Sequence, residues 1–138
     1  MAILVPYDGS EPAQQAVDHA IDHWGDHEIV LLRVIEVATG SLEAGVELLK
    51  EKIRQQRDEA AAELSDELTR KLREADVDYE IETVVGNPAK EIVAFADDQD
   101  ISHIVIGSHG RTGASRVLLG SVAQTVVRRA STPVTVVR

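Results

Sequence analysis

The sequence contains no cysteine, which removes disulfide cross-links, thiolate nucleophiles and Cys-ligated zinc together. Basic residues are scarce. Lys and Arg total 14 against 24 Asp and Glu, a net charge of −10, so a phosphate backbone would meet net repulsion and general nucleic-acid binding is not expected. Aromatic residues make up only 3%, and together with abundant carboxylates and few lysines this is a balance suited to staying dissolved in concentrated salt. No apolar run approaches the roughly twenty residues that span a bilayer. The opening Met1-Ala2-Ile3-Leu4-Val5-Pro6-Tyr7-Asp8 has no basic lead and soon reaches a carboxylate, so no signal peptide is expected. These absences predict a cytoplasmic protein with neither a membrane nor a nucleic acid as partner. Apolar residues are 43% of 138, roughly sixty side chains, which suits one domain spanning residues 1–138.

Short β-branched runs alternate with stretches of helical period, the pattern of an α/β protein with a parallel sheet covered on both faces. Ala2 to Pro6 reads as the first strand, and Asp8-Gly9-Ser10 as a turn whose serine caps the next helix. Behind it Ala13, Ala16, Val17, Ala20, Ile21 and Trp24 form one apolar stripe. Ile29 to Val37 is apolar apart from Arg33 and Glu36, as a central strand would be. A Gly-containing loop over 38–45 leads to a long helix from Val46 to about Ala75, with Leu49, Ile53, Ala60, Leu64, Leu68 and Leu72 on its buried edge and Glu67 paired with Lys71. Tyr79 to Val85 alternates with acids and reads as a half-exposed edge strand. Asn87-Pro88 supplies a cap and a first-turn proline to a helix carrying Ala89, Ile92, Val93 and Ala96. Ile101 to Ile106, a helix from about Gly120 to Arg129, and a strand from Pro133 to Val137 complete the chain.

In an open α/β sheet, ligands bind beyond the carboxyl ends of the strands, where the winding reverses. If the first and fourth strands are neighbours, Pro6 to Ser10 and the run from Gly107 to Gly113 converge there. Glycines at 107, 110 and 113 follow a strand directly, and Gly120-Ser121 opens the next helix. Bare backbone amides and a helix start would together hold phosphates. The same glycines would also serve a plain turn, and Gly120-Ser121 a helix start with its cap. No Lys stands in the Walker position, and the spacing is not the dinucleotide GxGxxG. Arg111, the only cation in the loop, either touches a terminal phosphate or lies in solvent. His109 either carries protons near pH 7 or hydrogen-bonds within its loop.

Gly107, two residues, Gly110, nine residues, then Gly120-Ser121 is the spacing of the ATP-binding branch of the universal stress protein family. The chain resembles that family throughout. Ile3 to Ser10 looks like its first strand and loop, Leu32-Arg33-Val34-Ile35 its second strand, Val85-Gly86-Asn87-Pro88 its third loop, and Ser131 to Val137 its final strand. The resemblance implies a Rossmann-like, adenine nucleotide alpha hydrolase-like fold: an open five-stranded parallel sheet in the order 3-2-1-4-5. It also implies a homodimer in which the last strands, Val134 to Val137, of two copies meet, a use for an otherwise unpaired edge. It further implies a nucleotide pose. Asp8 would bind ribose hydroxyls, Pro6 and Val34 would line the adenine slot, and Ile106 with Gly107 would lie under the sugar and first phosphate. Gly110, Gly120, Ser121, Val122 and Ala123 would surround the phosphate tail.

Each residue also has a structural use: Asp8 would cap its turn, Ser121 its helix, and Pro6 and Val34 would be core in any such fold. Tyr7 and Ala123 depart from many relatives. The Tyr7 ring would stack near the base or narrow the slot, and Ala123 lacks a hydroxyl for phosphate. The implied function is an ATP-dependent stress-response regulator, with AMP or ADP as other ligands and Mg²⁺ or Mn²⁺ across the phosphates. One alternative is a slow ATPase or autophosphorylating enzyme using Ser108, Thr112 or Ser121. With one Arg, no loop Lys and no evident base, efficient turnover is not expected. Another is a nucleotide-free interaction module, as in the family's branch that lacks the glycine pattern. An SGGxDS pyrophosphatase loop and an HxGH nucleotidyl-transfer motif are both missing from the opening segment.

Overall fold

The alternation of apolar runs and helical stripes folds as a parallel sheet between two helical layers. The computed structural model describes residues 2–35, 66–108 and 120–138, with residues 66 and 67 by backbone alone. Several expectations lie outside these residues: the end of the second strand at Glu36 and Val37, the 38–45 loop, the helix before residue 66 with Leu49, Ile53, Ala60 and Leu64, the Glu67 side chain, and His109, Gly110, Arg111, Thr112 and Gly113.

The described elements run β1 (Ala2–Pro6), α1 (Glu11–Trp24), β2 (Glu28–Ile35), α2 (Asp66–Glu74), β3 (Tyr79–Val85), α3 (Pro88–Asp98), β4 (Ile101–Gly107), α4 (Ser121–Arg129) and β5 (Val134–Val137). The sheet order is β3-β2-β1-β4-β5 and every pairing is parallel. Winding therefore runs outward from β1 through β2 to β3, then reverses to β4 and β5. The reversal between β1 and β4 opens a crevice at their carboxyl ends.

Strand side chains alternate between two apolar layers. Ile3, Val5, Tyr7, Ile29, Leu31 and Val105 pack beneath α1 and α2, meeting Ala13, Ala16, Val17, Ala20, Leu68 and Leu72. Ala2, Leu4, Val30, Leu32, Ile104 and Ile106 face the other way, against Ala89, Ile92 and Ala96 of α3 and Ala123 and Val126 of α4. Ile21, Trp24 and Val93, expected on the buried stripes, are partly buried at their margins. Strands covered on both faces explain why β1 and β4 read as nearly unbroken apolar runs. No helix among the described residues is long and apolar enough to cross a membrane.

Helix starts follow the sequence signals. Ser10 Oγ accepts from Ala13 N at 3.3 Å and Asn87 Oδ1 from Lys90 N at 3.1 Å, each with proline in the first turn behind it. Asn87→Ala should therefore cost about 1 kcal/mol, read as a lower urea midpoint at unchanged slope. Lys71 Nζ meets Asp18 of α1 at 3.3 Å, so its charge ties α2 to α1 and is not spent only within its own helix. At the β3 edge Tyr79 and Ile81 are 37% and 38% exposed. The carboxyl groups of Glu80 and Glu82 lie beside them, a charged guard against further pairing. Hydrogen bonding to Glu82, and repulsion by its charge, raise the Glu80 carboxyl above its ordinary range.

Candidate functional site

The carboxyl end of β1 is held in place by its neighbours. Tyr7 N donates to Leu32 O of β2 at 2.9 Å, extending the β1–β2 contact past Pro6. The chain then turns through Gly9, whose φ of 82° lies in the left-handed region that favours glycine. Asp8 Oδ1 accepts from Ser10 N at 3.0 Å. The turn-capping role weighed for Asp8 is thus present, and it fixes the carboxylate at the mouth of the crevice.

Gly107 ends β4 directly against the start of α1. A Cβ at this position would stand 2.7 Å from the Pro12 carbonyl carbon and oxygen. Its glycine is therefore required by a close approach of two backbones. Pro12 was not recognised as a site residue from the sequence; its first-turn position was legible, but its contact with β4 depends on how α1 crosses the sheet. Beyond Gly107, Ser108 N donates to Val137 O at 2.9 Å, and Gly120 N donates back to Ser108 O. The start of α4 is thereby pinned beside the end of β4.

The cap of α4 differs from the expectation for Ser121. Gly120 is the N-cap, with φ −62° and ψ 156°, and makes no side-chain cap hydrogen bond; Ser121 is the first helical residue. The Gln124 N to Gly120 O bond is the first of the helix. The amides of Ser121, Val122 and Ala123 precede it and carry the partial positive charge of a helix start. The difference follows from the fold: Gly120, extended and bonded through its N–H to Ser108 O of the β4 end, occupies the position a serine would need for capping.

Val34 and Val122 border the same apolar layer that buries Ile106 and Ala123. Ala123 is 2% exposed, so its side chain belongs to the core and its contribution toward the crevice is its backbone. Pro6, half-buried, ends β1 level with Leu32. Tyr7 requires a correction. Its side chain is 6% exposed within the opposite layer, under α1 and α2, because β1 alternates. It therefore neither stacks beside nor narrows a slot bordered by Val34 and Ile106. Ser108 is also buried, at 5% exposure, which withdraws its hydroxyl from solvent. Gly110 and Arg111 fall among the residues outside the description.

A cavity of about 370 Å³ lies at the other end of the sheet, bordered by Glu28, Glu80, Glu82 and Asp100 with Val30 and Phe95. Its carboxylates make it unsuited to phosphate. The crevice at the carboxyl ends instead combines amides with no side-chain cap among the described residues, a close-packed glycine and an ordered acid.

This is the arrangement of an open α/β protein with its ligand crevice at the topological switch point. The family model for the universal stress protein family matches residues 1–138, and the chain belongs to that family. It is 37% identical to universal stress protein MJ0531 of Methanocaldococcus jannaschii, over 99% of this chain and 81% of that protein. It is 34% identical to universal stress protein MJ0577 of the same organism, over 99% and 93% of the two chains; the MJ0577 structure superposes with a TM-score of 0.78. The structure of UspA from Lactobacillus plantarum, 26% identical, gives a TM-score of 0.84, covering 100% of this chain and 97% of the other. A universal stress protein crystallised with cAMP is 25% identical, with a TM-score of 0.60 over 100% and 96% of the two chains.

Proposed function

We propose that this protein binds an adenine nucleotide, ATP in the first instance, in the crevice between β1 and β4, and acts as a nucleotide-dependent stress-response regulator. The observation that carries this reading is the start of α4. Its glycine cap and first-turn amides, which have no side-chain cap among the described residues, are fixed beside β4 by the Gly120–Ser108 hydrogen bond, a geometry suited to an anionic tail. The cAMP complex of a relative supports an adenine nucleotide as the class of ligand.

In this reading Pro6 and Val34 border the base, Asp8 accepts from the ribose hydroxyls, and Ile106 and Gly107 underlie the sugar and first phosphate. Gly110, Arg111, Gly120, Ser121, Val122 and Ala123 surround the phosphates, and Mg²⁺ or Mn²⁺ is held by the phosphate oxygens. AMP and ADP share every contact except those to the outer phosphates. The protein works as one cytoplasmic domain and pairs with a second copy through β5. Regulation by binding is favoured over phosphoryl transfer, because the run from Gly107 to Gly113 offers one Arg, no Lys and no evident base; of the candidate acceptors, Ser108 is buried and Ser121 exposed.

Calorimetry on protein freed of co-purified nucleotide tests the proposal. A saturable heat of ATP binding at one site per chain is expected, and no heat would refute it. Mass spectrometry of nucleotide released from freshly purified protein identifies which phosphate count is retained.

A further inference from the structure

Three histidines and the chain's only tryptophan gather where the far end of α1 meets β4 and β5, away from the crevice. His19 and His23 stack with ring centroids 4.0 Å apart and planes 21° from parallel. His23 Nδ1 lies 3.0 Å from the His19 carbonyl oxygen, to which it donates. Trp24 continues the group, and its ring lies 4.6 Å from that of His103 on β4. His103 Nε2 in turn hydrogen-bonds Thr135 Oγ1 on β5.

We propose that this cluster is an acid-responsive tie, holding β5 to the body of the protein at neutral pH and loosening it when His103 takes up a proton. β5 is a four-residue strand held within its own chain by pairing to β4 alone, so a side-chain link on that side adds to few main-chain bonds; pairing with a second copy would use its other edge. The groups facing His103 can be named element by element. From α1 they are Trp24 and, through its charge, His19; from β1 the paired residue is Ile3; from β5 it is Thr135. None of these is a carboxylate that would stabilise an imidazolium. The Trp24 face favours a cation and works against release. Burial nevertheless pushes the His103 imidazole below its ordinary value, and the charge of His19 pushes it further down. The unfolded chain therefore binds this proton more readily than the folded one. The stabilisation is fully present above the ordinary imidazole value of about 6.5 and is lost as the pH falls below it. In the tautomer whose Nε2 accepts from the Thr135 hydroxyl, proton uptake at Nε2 removes that acceptor, and the bond is lost in the sense in which it ties β5.

Trp24 provides the readout, since an imidazolium quenches a neighbouring indole more strongly than neutral imidazole does. Its emission is titrated from about pH 7.5 to about 5.5, across the histidine range, in the parent and in His103→Gln, which keeps a hydrogen-bonding group near Thr135 without a titrating charge. The rings of His19 and His23 lie 5.8 and 5.9 Å from that of Trp24 and act on it in both proteins, so the difference between the two curves isolates His103 and should show a midpoint below that of free imidazole. His19→Gln should raise the midpoint of that difference. Over the same range, exchange of the Val134–Val137 amides, corrected for intrinsic rates, should increase about threefold or more in the native protein and stay level in His103→Gln. A midpoint above the free value, a titration unchanged by His103→Gln, or β5 amides equally protected at both pH values would overturn the proposal. None of these outcomes depends on nucleotide.

Discussion

Gly107→Val is expected to lower stability by about 1–3 kcal/mol and to reduce nucleotide affinity below detection. The cause is contact between two backbones. The first added carbon would stand 2.7 Å from the Pro12 carbonyl and 2.9 Å from Pro12 Cβ, and main chain cannot rotate away as a long side chain can. Relief requires α1 to slide off the sheet. The Asp8-Gly9-Ser10 turn, anchored to α1 by the Ser10 cap, would move with it. Gly107→Ala meets the same carbonyl and should show the same direction at the lower end of the range. Urea unfolding gives the stability change as a shifted midpoint at constant slope, and calorimetry gives the affinity. A valine protein as stable as the parent would contradict the packing of β4 against α1.

Asp8→Ala should weaken ATP binding about ten- to a hundredfold, the range set by losing a hydrogen bond to a charged group. It also removes the acceptor that holds Ser10 N at 3.0 Å. Asp8→Asn separates the two effects, because its amide oxygen still accepts from Ser10 while the charge is gone. If Asp8 binds ribose, Asn should fall between the parent and Ala in affinity while matching the parent in stability. If Asp8 serves the turn alone, both variants will bind ATP within about twofold of the parent, a change too small for a lost charged hydrogen bond.

The sheet was legible in the sequence because burial on both faces leaves strands almost wholly apolar. Ile29 through Leu32 and Ile104 through Ile106 have no solvent face to mark with polar residues. The order 3-2-1-4-5 was not legible from periodicity; it came from the family resemblance, and the strand pairing agrees with it. Caps with a side chain and a following proline, Ser10 and Asn87, were readable because their chemistry is local. The cap of α4 was not. Glycine and serine are both acceptable at that position, and what selects Gly120 is its bond to Ser108, whose nearness follows from the fold.

The same distinction applies to the crevice. Asp8 and the glycines carry their signal in residue type. The facing of Tyr7 into the α1 and α2 layer was a matter of strand phase, decided by which of β1's alternating residues α1 covers. The histidine cluster gave no signal, because His103 lies far along the chain from His19 and His23 and joins them only through the packing of α1 on β4.

The most direct test is an ATP titration followed by amide NMR on isotope-labelled protein. The account predicts that the amides of Gly120, Ser121, Val122 and Ala123 shift saturably with one affinity, together with those of Asp8 and Gly107. Saturable shifts confined to the acidic end of the sheet near Glu28 and Asp100, or no shift at the start of α4, would contradict it.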